Sequence, residues 1–139
     1  MNRVLFLSLL LTSSLVKGQT PQSMLYLSRK EIKNKLTQLY DCTYLGPSKI
    51  KGATYDSYHQ NNGSDAISCF FNKAGLCYEV DCLKPYKELS NDIKQLNDNF
   101  INIKQFKWKT KSDDMLIEVL PTQDRGLYLV RFKDMYLSQ

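Results

Sequence analysis

His59 is the only histidine in this 139-residue chain, and Asp56 stands three positions before it. A histidine near a carboxylate is the minimum equipment of a general base. The pair His59 and Asp56 therefore defines one reading, a small extracytoplasmic hydrolase. No nucleophile accompanies it: there is no G-x-S-x-G turn, and the hydroxyls nearby carry no motif. The same stretch holds Tyr55 and Tyr58. Amphipathic rings beside a histidine near a hairpin suit a recognition surface, so Tyr55, Tyr58 and His59 are the candidate binding residues.

Paired carboxylates can divide acid and base work on a sugar. Glu79 and Asp81 are two apart in a strand pattern, so both point to one face, whereas Asp113 and Asp114 sit in a turn where aspartate serves the backbone. A solvated face and a turn explain both pairs. Lys104, Lys107, Lys109 and Lys111 interleave with Phe106 and Trp108, a pattern that can bind single strands of nucleic acid. On a strand the lysines and rings diverge to opposite faces, which points to core aromatics under solvent-facing lysines. The six glycines form no phosphate loop, and Asn62-Gly63-Ser64 matches a glycosylation sequon that a hairpin turn also explains.

Cys42, Cys69, Cys77 and Cys82 are separated by 26, 7 and 4 residues. Zinc knuckles use tighter C-x2-4-C spacings and redox motifs use C-x-x-C, so neither a metal site nor a cofactor is expected. Disulfides are the expected state if the chain is exported. A three-residue hairpin loop over Asn72–Ala74 would set Cys69 across from Cys77, leaving Cys42 to join Cys82.

Export itself is read from residues 1–18. A basic start at Arg3 precedes an apolar run, Val4 to Leu11, too short to span a bilayer, with small or modest residues at Val16-Lys17-Gly18 before a cleavage point at Gln19. The expected product is a periplasmic or extracellular protein over residues 19–139, with no transmembrane anchor once the leader is removed. The formal charge of +5 falls to +3 without Arg3 and Lys17. So small and dispersed a surplus argues against a dedicated nucleic-acid binder.

These side chains need elements to position them. Ser28-Arg29-Lys30-Glu31 is a capping box, with Leu27 and Ile32 placed as a hydrophobic staple. Ile32, Leu36, Leu39 and Tyr40 then follow at helical spacing, and the first helix should end near Tyr40, before Gly46-Pro47. A second helix from about Pro85 carries the stripe Leu89, Ile93, Leu96 and Phe100. Strands are expected over Ala53–His59, Asp65–Phe71, Leu76–Leu83, Lys104–Thr110, Met115–Leu120 and Gly126–Phe132, with turns at Asn62-Gly63 and Asn72–Gly75. Residues 19–26 read as a polar lead-in.

The expected fold class is α+β: one domain with an antiparallel sheet of about six strands, both helices on one face, in the order αβββ–αβββ. The last two strands are apolar on both faces, so one set must be covered by the chain end near Met135 and Tyr136 or left as a docking patch. With 42% apolar residues the chain can bury a core unaided. The resulting functional reading is a small exported non-enzymatic module that binds a protein or cell-envelope partner through its sheet. A structural protein that self-associates into a homo-oligomer through that second face is the third reading, beside the hydrolase.

Overall fold

The computed structural model describes residues 21–61, 65–124 and 126–137. The expected leader and the Asn62-Gly63 turn lie outside these residues. The protein is α+β with a single antiparallel sheet, but the sheet has eight strands rather than about six, in the order αββββ–αββββ. The strands are β1 (Cys42–Ile50), β2 (Ala53–Gln60), β3 (Ala66–Phe71), β4 (Cys77–Pro85), β5 (Ile101–Lys104), β6 (Lys107–Lys109), β7 (Met115–Pro121) and β8 (Leu127–Asp134). They lie in the order β1-β2-β3-β4-β8-β7-β6-β5, two meanders joined where β4 pairs with β8.

Two strands depart from the expected count for identifiable reasons. Gly46-Pro47 does not end the first unit; β1 bulges at Leu45, between Tyr44 and Gly46, and runs on through both residues. Gly46 takes φ +108, and β1 is an edge strand, where a proline's missing N–H costs no ladder bond. In the second half, Lys104–Thr110 is not one strand. The chain reverses through Gln105-Phe106, with Phe106 at φ 61, and β5 pairs back on β6.

The first helix, α1 (Arg29–Asn34), starts at the expected cap. Ser28 Oγ accepts from Glu31 N at 3.3 Å, and Ser28 N donates to Glu31 Oε2 at 2.7 Å. Hydrogen bonding to the Ser28 backbone N–H, and secondarily to its hydroxyl, holds the Glu31 carboxyl below its usual range. The helix widens into a π turn over Lys35–Leu39. Ahead of it, Pro21–Met24 forms a 3-10 turn whose Pro21 and Met24 are buried. Pro21, Met24 and Leu25 of the lead-in are thus core rather than polar surface. Backbone bonds from Tyr26 N to Cys77 O and from Cys77 N to Leu27 O stitch it to the start of β4.

The second helix, α2 (Leu89–Asn99), follows a 3-10 turn at Tyr86–Glu88. Both helices cover the same face. One registered row runs Asp56, Cys69, Val80, Phe132, Ile117, Trp108 across six strands. At one end Arg29 of α1 meets Asp56; at the other, Trp108 Nε1 donates to Asn97 of α2 at 2.8 Å. Ile32, Leu36 and Leu96 are fully buried against this row and its neighbours.

The helix-covered face also buries charge. Lys84, in step with Val80 and Cys82 on β4, is fully buried, with Nζ 2.8 Å from Asp92 Oδ2 and 3.0 Å from Glu88 Oε2. The Tyr128 hydroxyl donates to the same Asp92 oxygen. Burial pushes the Asp92 carboxyl upward, while the bonds from Lys84 and Tyr128 pull it back. Removing one member of a buried pair strands the other charge, at a cost of about 3–5 kcal/mol. Lys84→Met is therefore expected to lower the unfolding free energy by about that amount, and Lys84→Met with Asp92→Leu to recover most of it. Urea denaturation of both variants checks this; equal losses would contradict it.

Candidate functional site

Because side chains alternate along a strand, the residues left over after the core row define a second, uncovered face. Its central row is Ser57, Ser68, Asp81, Arg131, Glu118 and Lys107. Next to it run Tyr55, Phe70, Glu79, Lys133, Leu116 and Lys109, and on the other side His59, Ala66, Leu83, Leu129 and Leu120. The helix contacts described above lie on the opposite face, yet Glu79 and Asp81 on this one are themselves only 7% and 6% exposed. The chain end borders one edge of this face, where Met135 and Leu137 share a hollow with Leu116, Glu118 and Lys133, while Met135 and Tyr136 stay 54% and 71% exposed.

The charges on this face satisfy one another. Arg131 makes a bidentate contact with Asp81, Nε to Oδ1 and Nη2 to Oδ2, both at 2.9 Å, and its Nε lies 3.0 Å from Glu79 Oε1. Lys133 Nζ is 3.9 Å from Glu79 Oε2, and Lys107 Nζ is 3.5 Å from Glu118 Oε1. The hydrogen bonds to Asp81 push the Arg131 pKa further up. Burial, reinforced by the charge of Asp81 and opposed by Arg131 and Lys133, holds Glu79 above the usual carboxylate range. A planar guanidinium between two carboxylates is a fixed, oriented cation rather than a mobile one.

Flanking the charges are two kinds of apolar surface. Tyr55 stacks on Phe70, with ring centroids 5.0 Å apart and planes inclined by 27°. Leu83, Leu129 and Leu120 form a half-buried aliphatic row that ends at exposed His59. The parity expected for the last strands holds: Leu116, Leu120 and Leu129 face away from Ile117, Val119, Val130 and Phe132. Glu79 and Asp81 share a face as their spacing requires, and Lys107 and Lys109 point opposite to buried Trp108.

Two of the candidate binding residues reach this face and one does not. Tyr55 and His59 lie on it, but Tyr58 is fully buried under α1. Its ring sits 5.3 Å from that of Tyr44, and its hydroxyl finds no hydrogen-bond partner among the described residues. Burial pushes its pKa up. Tyr58 is a core residue. Asp56 is on the same buried side, accepting from the Tyr44 hydroxyl at 3.2 Å, with Arg29 Nε 3.1 Å from its other oxygen. The dyad of His59 and Asp56 is accordingly not assembled: the two side chains leave β2 on opposite faces of the sheet. Their odd spacing within a strand was the available signal, since it forbids a shared face.

The cysteines are all buried free thiols, and none is bonded to another. The expected register places Cys69 opposite Cys77; in the structure Cys69 pairs with Val80, and Phe71 with Cys77, around a bulge at Tyr78. That bulge returns Cys77 to the side of Cys69. Hydrogen bonding to Cys77, together with burial, holds the Cys69 thiol protonated. A bond between Cys42 and Cys82 is ruled out by topology. They lie on β1 and β4, three strand spacings or about 14 Å apart, whereas a disulfide needs its Cα atoms within about 7 Å.

Among the described residues no cluster of His, Cys, Asp and Glu is arranged to hold a metal ion, and no helix is long and apolar enough to cross a membrane. No family model matches this chain, and neither the curated proteins nor the solved structures compared with it gave a match.

Proposed function

We propose that this protein is an exported, non-enzymatic binding module whose contact surface is the uncovered face of its sheet, and that its partner is an extracellular or cell-envelope protein. The observation that carries this reading is the composition of that face. A stacked aromatic pair, Tyr55 and Phe70, and an aliphatic row, Leu83, Leu129 and Leu120, flank a charge set already neutralised within the protein. Desolvating charges that keep their partners costs less than desolvating lone ones, and anchored tyrosine and arginine side chains dominate binding energy in such patches.

A partner captured by the native protein and identified by cross-linking provides the test. Tyr55→Ala and Leu129→Glu are each expected to weaken that complex at least about tenfold, equal to about 1.4 kcal/mol, while Leu39→Glu, at an exposed position on the π turn, leaves it unchanged. Thermal melting confirms that the variants fold. Loss with Leu39→Glu and retention in both sheet variants would refute the reading. A dimer dissolved by the sheet variants would replace it with self-association.

Export would also place the thiols where a disulfide-bearing oxidant can act. Cys69 and Cys77 would then yield two protons and two electrons to that acceptor disulfide and join as one bond, with Cys42 and Cys82 left free. Peptide mapping of the exported protein under non-reducing conditions should recover the peptides of Cys69 and Cys77 linked. A linkage through Cys42, or four alkylatable thiols, would contradict this pairing.

A further inference from the structure

A hollow of about 530 Å³ opens at the end of the sheet where β7 turns into β8, beside the start of α2. Three segments line it: the start of α2 with Tyr86 and Leu89, the β5–β6 turn with Phe106, and the β7–β8 end of the sheet with Val119 and Tyr128, where Leu120 borders the aliphatic row of the open face. We propose that this hollow is a binding site for an uncharged, ring-bearing small molecule, about the size of two fused or linked aromatic rings.

The volume is the first reason, since pockets for small ligands span roughly 300–1,000 Å³ and are mostly apolar. The walls supply the second. Tyr86 and Phe106 are 59% and 41% exposed, although each sits beside the core. Tyr86 meets Tyr128 edge to face, with centroids 6.5 Å apart and planes at 88°. A ring entering beside them would extend an aromatic array whose edge-to-face contacts are each favourable.

Phe106 contributes a third reason. It is held at φ 61, a region that penalises a bulky side chain, and glycine would sit there without strain. Its carbonyl accepts from Val119 N at 3.0 Å, which fastens the turn against β7 beside the hollow. A ring kept where the backbone disfavours it fits a wall that something must touch.

The chemistry of the ligand follows from where the polar atoms point. Thr122 Oγ1 is bound to the carbonyls of Asp124 and Leu127, at 2.6 and 3.0 Å. Asp124 Oδ1 accepts from Gly126 N at 2.8 Å, and the Tyr128 hydroxyl is given to Asp92. With these donors and acceptors engaged inside the protein, a polar ligand would lose hydration and gain few bonds in return. The Asp124 carboxylate at the rim further disfavours an anion.

Fluorescence titration with N-phenyl-1-naphthylamine, compared with its sulfonated analogue 8-anilinonaphthalene-1-sulfonate, tests this directly. The expected result is saturable one-to-one binding of the neutral probe, at least about tenfold tighter than the anionic one. Phe106→Gly and Tyr86→Ala should each weaken it by about tenfold or more, whereas Tyr136→Ala and the sheet variant Tyr55→Ala leave it unchanged. Non-saturable binding, equal affinity for the two probes, or affinity unmoved by Phe106→Gly and Tyr86→Ala would overturn the proposal. Leu120 borders both surfaces, but Tyr55 lies outside the hollow and Tyr86 and Phe106 lie outside the open-face rows, so these variants separate failure here from failure of the partner-binding reading.

Discussion

The pairing of β4 with β8 is the contact on which the rest of the molecule depends. Each half is a helix followed by a four-stranded meander, and each meander ends in a strand that is apolar toward the helices. Alone, either half would present that last strand as an open edge, with unpaired backbone groups beside buried-type side chains. Joining β4 to β8 from Glu79–Lys133 through Pro85–Leu127 converts the two worst edges into the centre of one sheet. The outer edges that remain are β1, interrupted by a bulge and Pro47, and the four-residue β5. Both are poor templates for further pairing.

The same junction fixes what happens on each face. Toward the helices, Val80 meets Phe132 and Cys82 meets Val130, closing the core between the two halves. On the opposite face Asp81, itself nearly buried, meets Arg131, so the charge set lies over the seam and ties the halves together there as well. Each helix is then fastened to the sheet by an ion pair with a buried aspartate: Arg29 with Asp56 for α1, and Lys84 with Asp92 for α2. Such pairs add little net stability, but a misplaced helix would leave Asp56 or Lys84, each fully buried in the sheet, without its partner. Their value lies in fixing how each helix sits.

Much of this was readable from residue types. The capping box at Ser28, the helical stripe from Leu89 to Leu96 and the alternation in β7 and β8 are local signals, and each matched the structure. The missed strands had nonlocal causes. Gly46-Pro47 signals a stop in most contexts, and only the edge position of β1 makes a bulge the better outcome. Phe106 carries no turn signal, because the bond from Val119 that holds it comes from another strand. Lys84 stands in phase with Val80 and Cys82, so its burial was implied by parity, yet nothing local announces Asp92 as its partner. Tyr58 shares its face with Asp56, two residues away, and only the packing of α1 over that face makes it core rather than surface.

Amide hydrogen exchange, followed segment by segment under native conditions, tests the central role of the β4–β8 seam most directly. The slowest-exchanging amides should lie in β4 and β8, and both meanders should lose protection in one step at the global unfolding free energy, since neither persists once the seam opens. Two separate steps, with one meander keeping full protection after the other has opened, would contradict this account.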